Sequence, residues 1–153
     1  MTDRGYDTDL ALWAEDQARA LRDAGHADTN LPIDWENVAE EIESLGRSQG
    51  RELASRIAVI LVHLMKLEAS PASDPRGQWL ETIGQQRGDI ERVLADSPSL
   101  RPTIGRVIEE ESGRARRLAA LALAGYGEQP RVDLSGLRYT TEQVLGDWFP
   151  DPA

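Results

Sequence analysis

The sequence contains no cysteine among its 153 residues. Without thiols, no disulfide can crosslink the fold, and no thiolate can bind a metal or attack a substrate. Long apolar runs are also missing: the longest, residues 57–65, is interrupted by His63 and is far shorter than the ~20 residues that span a bilayer. The polar N-terminus has no apolar stretch of the kind that a secretion signal needs. These absences predict a soluble, cytoplasmic protein without a membrane partner.

Basic residues are scarce, with 17 Lys and Arg against 27 Asp and Glu, and the net charge is −10. Such a charge argues against nucleic acid as a partner, because phosphate neutralisation needs clustered basic side chains. Sixteen of the basic residues are arginine, Lys66 is the single lysine, and only two residues are asparagine. That composition is typical of a GC-rich bacterial genome. The charge is compatible with a basic protein partner.

Apolar residues recur with a period of about 3.6 nearly everywhere, and no long alternating run suggests a sheet. Asp7 or Thr8 is expected to cap the first helix, and Gly25 to end it. The connections are short, so we predict an all-α fold, an antiparallel four-helix bundle with a C-terminal tail and a short helix docked on it, in a single domain over 1–153. The predicted helices cover residues 8–24, 34–69, 76–96 and 102–124, and the short last one covers 142–146.

The second helix is predicted to run through two glycines, Gly46 and Gly50, each of which costs a helix about 1 kcal/mol relative to alanine. Nothing between them resembles a loop, so one bent helix is preferred to two. Its part from 57 to 65 is apolar almost all round and should be the most buried.

Several strings of residues are specific enough to indicate a family. They are Tyr6-Asp7-Thr8-Asp9, Ala39-Glu40-Glu41-Ile42-Glu43-Ser44-Leu45-Gly46-Arg47, His63-Leu64-Met65-Lys66, Asp96-Ser97-Pro98-Ser99-Leu100 and Trp148-Phe149-Pro150. In these strings the sequence resembles the bacterial family known only as domain of unknown function number twenty-nine, DUF29. The resemblance covers almost the whole chain and implies a helical bundle, but it supplies no activity, substrate or cofactor. Residues 71–74 are less aromatic and less basic than the family would lead one to expect.

Three glutamates of the second helix, Glu36, Glu40 and Glu43, fall on one side of it, away from its apolar stripe. We call them the acidic ridge. Arg47 follows Glu43 by four residues, a spacing that favours an ion pair. The ridge is either a solvated face or a surface that meets a partner or supplies oxygen ligands to a divalent cation. The histidine of a di-iron bundle motif is missing, so no metal site and no cofactor are predicted.

Four polar residues fall on apolar stripes and are the weak candidates for a catalytic site: Gln17, His63, Arg87 and Glu111. His63 is a core histidine bonded to a carboxylate or carbonyl, or else a metal ligand. Arg87 and Glu111 are expected to pair across the third and fourth helices, because a buried charge costs several kcal/mol unless it is paired.

The aromatic residues at the end of the chain, Trp148 and Phe149, either hold the tail against the bundle or form an exposed anchor for a partner.

The functional prediction is a noncatalytic binding or regulatory protein. Its binding residues would be Glu36, Glu40, Glu43 and Arg47, and its partner a basic protein or a second copy of the chain. The alternative is a metal-dependent or acid–base enzyme with its site inside the bundle, built from the four candidates above.

Overall fold

Helices account for the secondary structure in a computed structural model that describes residues 4–27 and 29–151, and these ranges contain no strand. The all-α prediction is confirmed, and each main helix begins and ends within about two residues of its predicted bounds. Two 3-10 turns, Pro98–Thr103 and Leu134–Gly136, stand between helices. The helices are α1 (Leu10–His26), α2 (Trp35–Ala69), α3 (Arg76–Asp96), α4 (Ile104–Gly125) and α5 (Thr141–Leu145).

The chain divides into two compact units. Unit 1 comprises the described residues up to Leu53 together with Arg92–Pro102. Unit 2 comprises Ala54–Glu91 together with the described residues from Thr103 onward. Single-domain organisation stays a prediction.

The second helix is continuous through both glycines, as predicted, and extends over 35 residues. A Cβ atom on Gly46 would lie 3.0 Å from the Cβ of Ala14 and 3.3 Å from the carbonyl oxygen of Ala11. A Cβ atom on Gly50 would meet no atom within 4 Å. Gly46 therefore lets α1 approach the backbone of α2, whereas Gly50 borders open space.

This difference makes the two glycines a matched pair. Gly50→Ala should raise the free energy of unfolding by about 0.5–1 kcal/mol, since alanine favours the helix. Gly46→Ala should be less stable than Gly50→Ala by at least ~1 kcal/mol, because its methyl group must push α1 aside. Urea unfolding followed by circular dichroism measures both; equal stabilities would contradict the close approach at Gly46.

The start of α1 is fixed by Asp9, not by the predicted Asp7 or Thr8. Asp9 is buried, and its carboxylate accepts a hydrogen bond from the backbone N–H of Leu12 at 3.0 Å. The same carboxylate accepts bonds from the backbone N–H of Ser99 at 2.7 Å and from its hydroxyl at 3.0 Å. Asp9 thus caps α1 and joins it to the turn that follows α3.

The end of α1 also differs from the prediction, because the helix continues past Gly25 to His26. A Cβ atom on Gly25 would lie 2.5 Å from the Cβ of Trp35. The glycine therefore permits Trp35 to approach the backbone and does not serve as a C-terminal cap.

The core of unit 2 is formed around the apolar part of α2, where Ile57, Ile60 and Leu61 are fully buried. The stretch is thus buried on one side only, because Ala58, Val59 and Val62 are half-buried. On α4 the helical period of apolar residues would also place Leu118 and Leu121 in the core, but they are 42% and 68% exposed. The buried face of α4 instead uses small residues, among them Ser112, Ala115 and Ala119. Small side chains on this face allow close helix packing, and Leu118 and Leu121 lie on the exposed side of α4.

Lys66 is almost completely buried, with 8% of its surface exposed. Its Nζ lies 5.2 Å from the ring centre of Trp79 and 5.8 Å from that of Tyr126. No carboxylate of the described residues pairs with it. Cation–π attraction to the two rings therefore offsets part of the cost of burying this ammonium group.

The C-terminal tail is docked in unit 2, as predicted. It begins after a glycine cap, Gly127 with φ +71°, where the N–H of Glu128 bonds to the carbonyl of Leu123. The backbone N–H of Arg131 donates to the carbonyl of Ala69 at 2.8 Å. The hydroxyl of Tyr139 donates to Glu68, and burial and this carboxylate together raise the pKa of Tyr139.

Candidate functional site

The acidic ridge is held together by an arginine from α1. Glu36, Glu40 and Glu43 lie on one side of α2, and Arg22 reaches all three. Its Nε is 3.1 Å from Glu36 and its Nη2 is 3.4 Å from Glu40, while its Nη1 donates to Glu43. Nothing in the local sequence marks Arg22, because its partners are 14–21 residues away.

Arg47 is the second cation of the ridge. Its Nη1 donates to Glu43 at 2.7 Å, which confirms the predicted ion pair, and its Nη2 donates to Glu40 at 2.6 Å. The hydrogen bond with Arg22 is the main reason that the pKa of Glu43 lies below its ordinary value. Three carboxylates thus share two guanidinium groups, so the ridge keeps one negative charge in excess.

A cleft of about 860 Å³ lies beside the ridge within unit 1. Its volume falls in the range of ~300–1,000 Å³ that is typical of ligand sites. Small and apolar residues line part of it, and the open space at Gly50 belongs to it. These residues are Ala11, Leu12, Gly46, Gly50 and Leu100. The polar lining consists of Glu15, Arg19, Arg22, Asp23, His26, Glu43, Arg47 and Ser99.

The charged side chains that line this cleft are not all paired with one another. Arg19 pairs with Glu15 at 3.2 Å and with Asp16 at 3.4 Å. Asp23 lines the cleft and forms no hydrogen bond or ion pair with a described residue. Three carboxylates and three guanidinium groups line the cleft: Glu15, Asp23 and Glu43, and Arg19, Arg22 and Arg47.

The four catalytic candidates are divided between the two units. Gln17 belongs to unit 1, whereas His63, Arg87 and Glu111 belong to unit 2. Gln17 is exposed, contrary to the prediction. The buried face of α1 is centred on Ala14 and Ala18, and Gln17 lies about 100° around the helix from Ala18.

Arg87 binds the backbone of the C-terminal tail, so its predicted pairing with Glu111 is wrong. Its Nε donates to the carbonyl of Val144 at 2.9 Å. Its Nη2 donates to the carbonyls of Gln143 at 2.9 Å and Trp148 at 2.7 Å. The guanidinium carbon lies 4.6 Å from the ring centre of Phe149. Carbonyl oxygens, and not a carboxylate, thus accept the hydrogen bonds of the half-buried guanidinium group. The same contacts hold Trp148 and Phe149 against the rest of unit 2.

His63 is half-buried, and its Nδ1 lies 2.8 Å from the carbonyl oxygen of Val59. A carbonyl accepts only, so Nδ1 carries the hydrogen and the neutral ring has its acceptor at Nε2. Burial lowers the pKa of His63 below the ordinary value of 6.5. Within 4–27 and 29–151, no three His, Asp or Glu side chains are grouped so that they could hold a metal ion.

None of the helices in the described ranges combines the length and the apolar character that crossing a bilayer requires.

A family model described as "Domain of unknown function DUF29" matches residues 6–149. No curated protein matches the sequence. Among solved structures, the chain is similar to an alpha-helical protein of unknown function from Rhodospirillum rubrum, with 27% identity and a TM-score of 0.81. That similarity covers 97% of this chain and 93% of the other.

Proposed function

We propose that this protein, which belongs to the DUF29 family, is a noncatalytic binding protein whose unit 1 cleft receives a cationic side chain from a basic segment of another protein. The observation that carries the proposal is a cleft of about 860 Å³ in which each of the three guanidinium groups is paired with a carboxylate, whereas Asp23 has no partner among the described residues.

The charge arrangement favours a cation over an anion as the group that enters. Arg22 and Arg47 are already bonded to glutamates, so an incoming anion would have to compete for them. A lysine or arginine side chain would instead find Asp23 free. An ion pair formed inside a cleft is screened less by salt than one on an open surface.

The ridge beside the cleft favours a protein segment over a small cation. The side chains of Glu36 and Glu40 are 69% and 52% exposed, although each contacts an arginine. Their remaining carboxylate surface can attract further basic side chains of the same partner. Such attraction chiefly raises the association rate and selects the partner.

The noncatalytic part of the proposal rests on how the hydroxyl group in the cleft is used. Ser99 lines the cleft, but its Oγ donates to the buried carboxylate of Asp9 at 3.0 Å. The same carboxylate accepts the backbone N–H groups of Leu12 and Ser99, so this hydroxyl belongs to the structural cap of α1. We propose no cofactor and no nucleic-acid partner, and we place the protein in the bacterial cytoplasm.

A titration with short peptides tests the binding proposal. A blocked Gly-Arg-Gly peptide should bind with saturation when it is followed by nuclear magnetic resonance. The same peptide with citrulline or glutamate in place of arginine should bind at least tenfold more weakly.

Two pairs of variants locate the binding. Gly50→Phe fills the cleft and should weaken binding at least tenfold, whereas Gly84→Phe, at another exposed helical glycine with free space, should not. Asp23→Lys should weaken binding in the same way, and the exposed Asp74→Lys should not. Equal affinities within either pair, or no binding of the arginine peptide at millimolar concentration, would overturn the proposal.

A further inference from the structure

A second recess lies within unit 2, between α2 and α4, and has a volume of about 370 Å³. It lies in a different unit from the cleft proposed above to bind a partner. We call it the unit 2 groove. Its lining consists of Ser55, Ala58, Val59, Val62, His63, Arg114 and Leu118.

The walls of the groove are aliphatic. Ala58, Val59 and Val62 are only half-buried, although they stand in the most apolar part of the sequence. Leu118 is 42% exposed for the same reason: it faces the groove and not the core. No phenylalanine, tyrosine or tryptophan ring takes part in the lining. Such walls suit an alkyl chain better than a planar ring.

One cation stands at this groove without a partner. Arg114 is exposed and forms no hydrogen bond or ion pair with a described residue, although the chain has 27 acidic residues. Its guanidinium group presents two parallel N–H donors in the geometry that a carboxylate accepts. The imidazole of His63, which is neutral at pH 7, adds no second charge.

We propose that the unit 2 groove binds a small amphiphile that carries one carboxylate on an alkyl chain. The carboxylate pairs with the guanidinium group of Arg114. The alkyl chain lies against Val59, Val62 and Leu118. A single cation beside aliphatic walls matches a ligand with a single negative charge and an apolar body.

Octanoate is the probe, and the two histidines of the chain serve as reporter and internal reference. His63 lines the groove, whereas His26 lines the cleft of unit 1. Octanoate should shift the ring proton resonances of His63 with saturation and leave those of His26 in place. His26→Gln assigns the two signals. Octanol, which has no charge, should bind at least tenfold more weakly than octanoate. Octyl phosphate tests whether another anionic head group binds with the same affinity.

Two arginines of α4 provide the matched variants. Arg114→Gln should weaken octanoate binding at least tenfold. Arg117→Gln should leave it unchanged, because Arg117 is equally exposed but does not line the groove. Neither side chain has a partner among the described residues, so both variants should fold normally.

Four results would overturn the proposal. They are the absence of a saturable shift at His63, equal affinities of the two arginine variants, equal binding of octanol and octanoate, and tighter binding of octyl phosphate than of octanoate. A dimer that dissociates in Leu118→Asp, measured by sedimentation, and that does not bind octanoate would show that a second copy covers the groove. That result would also overturn it. The binding of the arginine peptide in unit 1 does not bear on these outcomes.

Discussion

Replacing Arg87 with alanine is expected to release the C-terminal tail and to lower the free energy of unfolding by about 3–4 kcal/mol. Arg87 donates to three backbone carbonyls of the tail and stacks on Phe149. A hydrogen bond from a charged group contributes about 1.5–3 kcal/mol, and part of that is recovered when water reaches the freed carbonyls. Urea unfolding gives the loss, and amide hydrogen exchange should show faster exchange over residues 139–149.

Two further variants separate this effect from the removal of any arginine. Arg87→Lys should lose nearly as much stability as Arg87→Ala, because the compact ammonium group cannot occupy the separate positions of Nε and Nη2 and cannot stack on Phe149 as the planar guanidinium group does. Arg138→Ala should cost less than about 0.5 kcal/mol, because Arg138 is exposed and bonds only to the nearby carbonyls of Ser135 and Leu137. If Arg87→Ala and Arg138→Ala have the same stability, the tail is not held by Arg87.

Removal of the Asp9 carboxylate is the second large effect that we expect. Asp9→Ala should lower the free energy of unfolding by about 3 kcal/mol. It removes the cap of α1, which contributes about 1 kcal/mol, and both bonds from Ser99, whose N–H is then left without its acceptor. Thermal unfolding followed by circular dichroism measures the change.

The natural control for Asp9 is Asp7, which the sequence also offers as a cap. Asp7 is exposed and has no partner among the described residues. Asp7→Ala should therefore change the stability by less than about 0.5 kcal/mol. Asp9→Asn should be intermediate, because its amide oxygen can still cap α1 while its NH₂ group faces a donor of Ser99. A larger loss from Asp7→Ala than from Asp9→Ala would contradict the assignment.

The contacts of Asp9 explain why two distant strings of the sequence belong together. Asp9 closes the string that begins at Tyr6, and Ser99 stands in the string that begins at Asp96. The two meet through hydrogen bonds across 90 residues. Ser97 of the second string also accepts a bond from the N–H of Ala11 at 3.1 Å. Residues of both strings therefore determine the conformation of the turn that contains Ser99, and Ser99 lines the cleft.

Periodicity was sufficient to predict the helices, because their positions follow from which residues are apolar. It failed where backbones approach closely. Gly25 resembles a helix cap, but Trp35 makes the glycine necessary. Leu118 resembles a core residue, but the alanines and serine of α4 take the buried face. Close approach depends on the partner helix, which no local pattern contains.

Some features of the candidate site likewise follow from the sequence, and others do not. The alignment of Glu36, Glu40 and Glu43 follows from 100° per residue, and the pairing of Glu43 with Arg47 follows from their spacing. The contribution of Arg22 does not follow, because it depends on how α1 lies against α2. The cleft itself could not be predicted, since it consists of space that several separate segments leave open.

The burial of Lys66 gives the protein a single chemical reporter of its own opening. Acetic anhydride acylates only uncharged, accessible amines, and no other lysine side chain is present to compete. While Trp79 and Tyr126 cover the ammonium group, the side chain should react slowly. Each transient separation of these rings exposes it, so the rate of acylation at this one residue measures how often this part of unit 2 opens. Mass spectrometry of the proteolytic peptide that contains Lys66 separates this rate from acylation of the α-amino group, without a dye or an engineered cysteine.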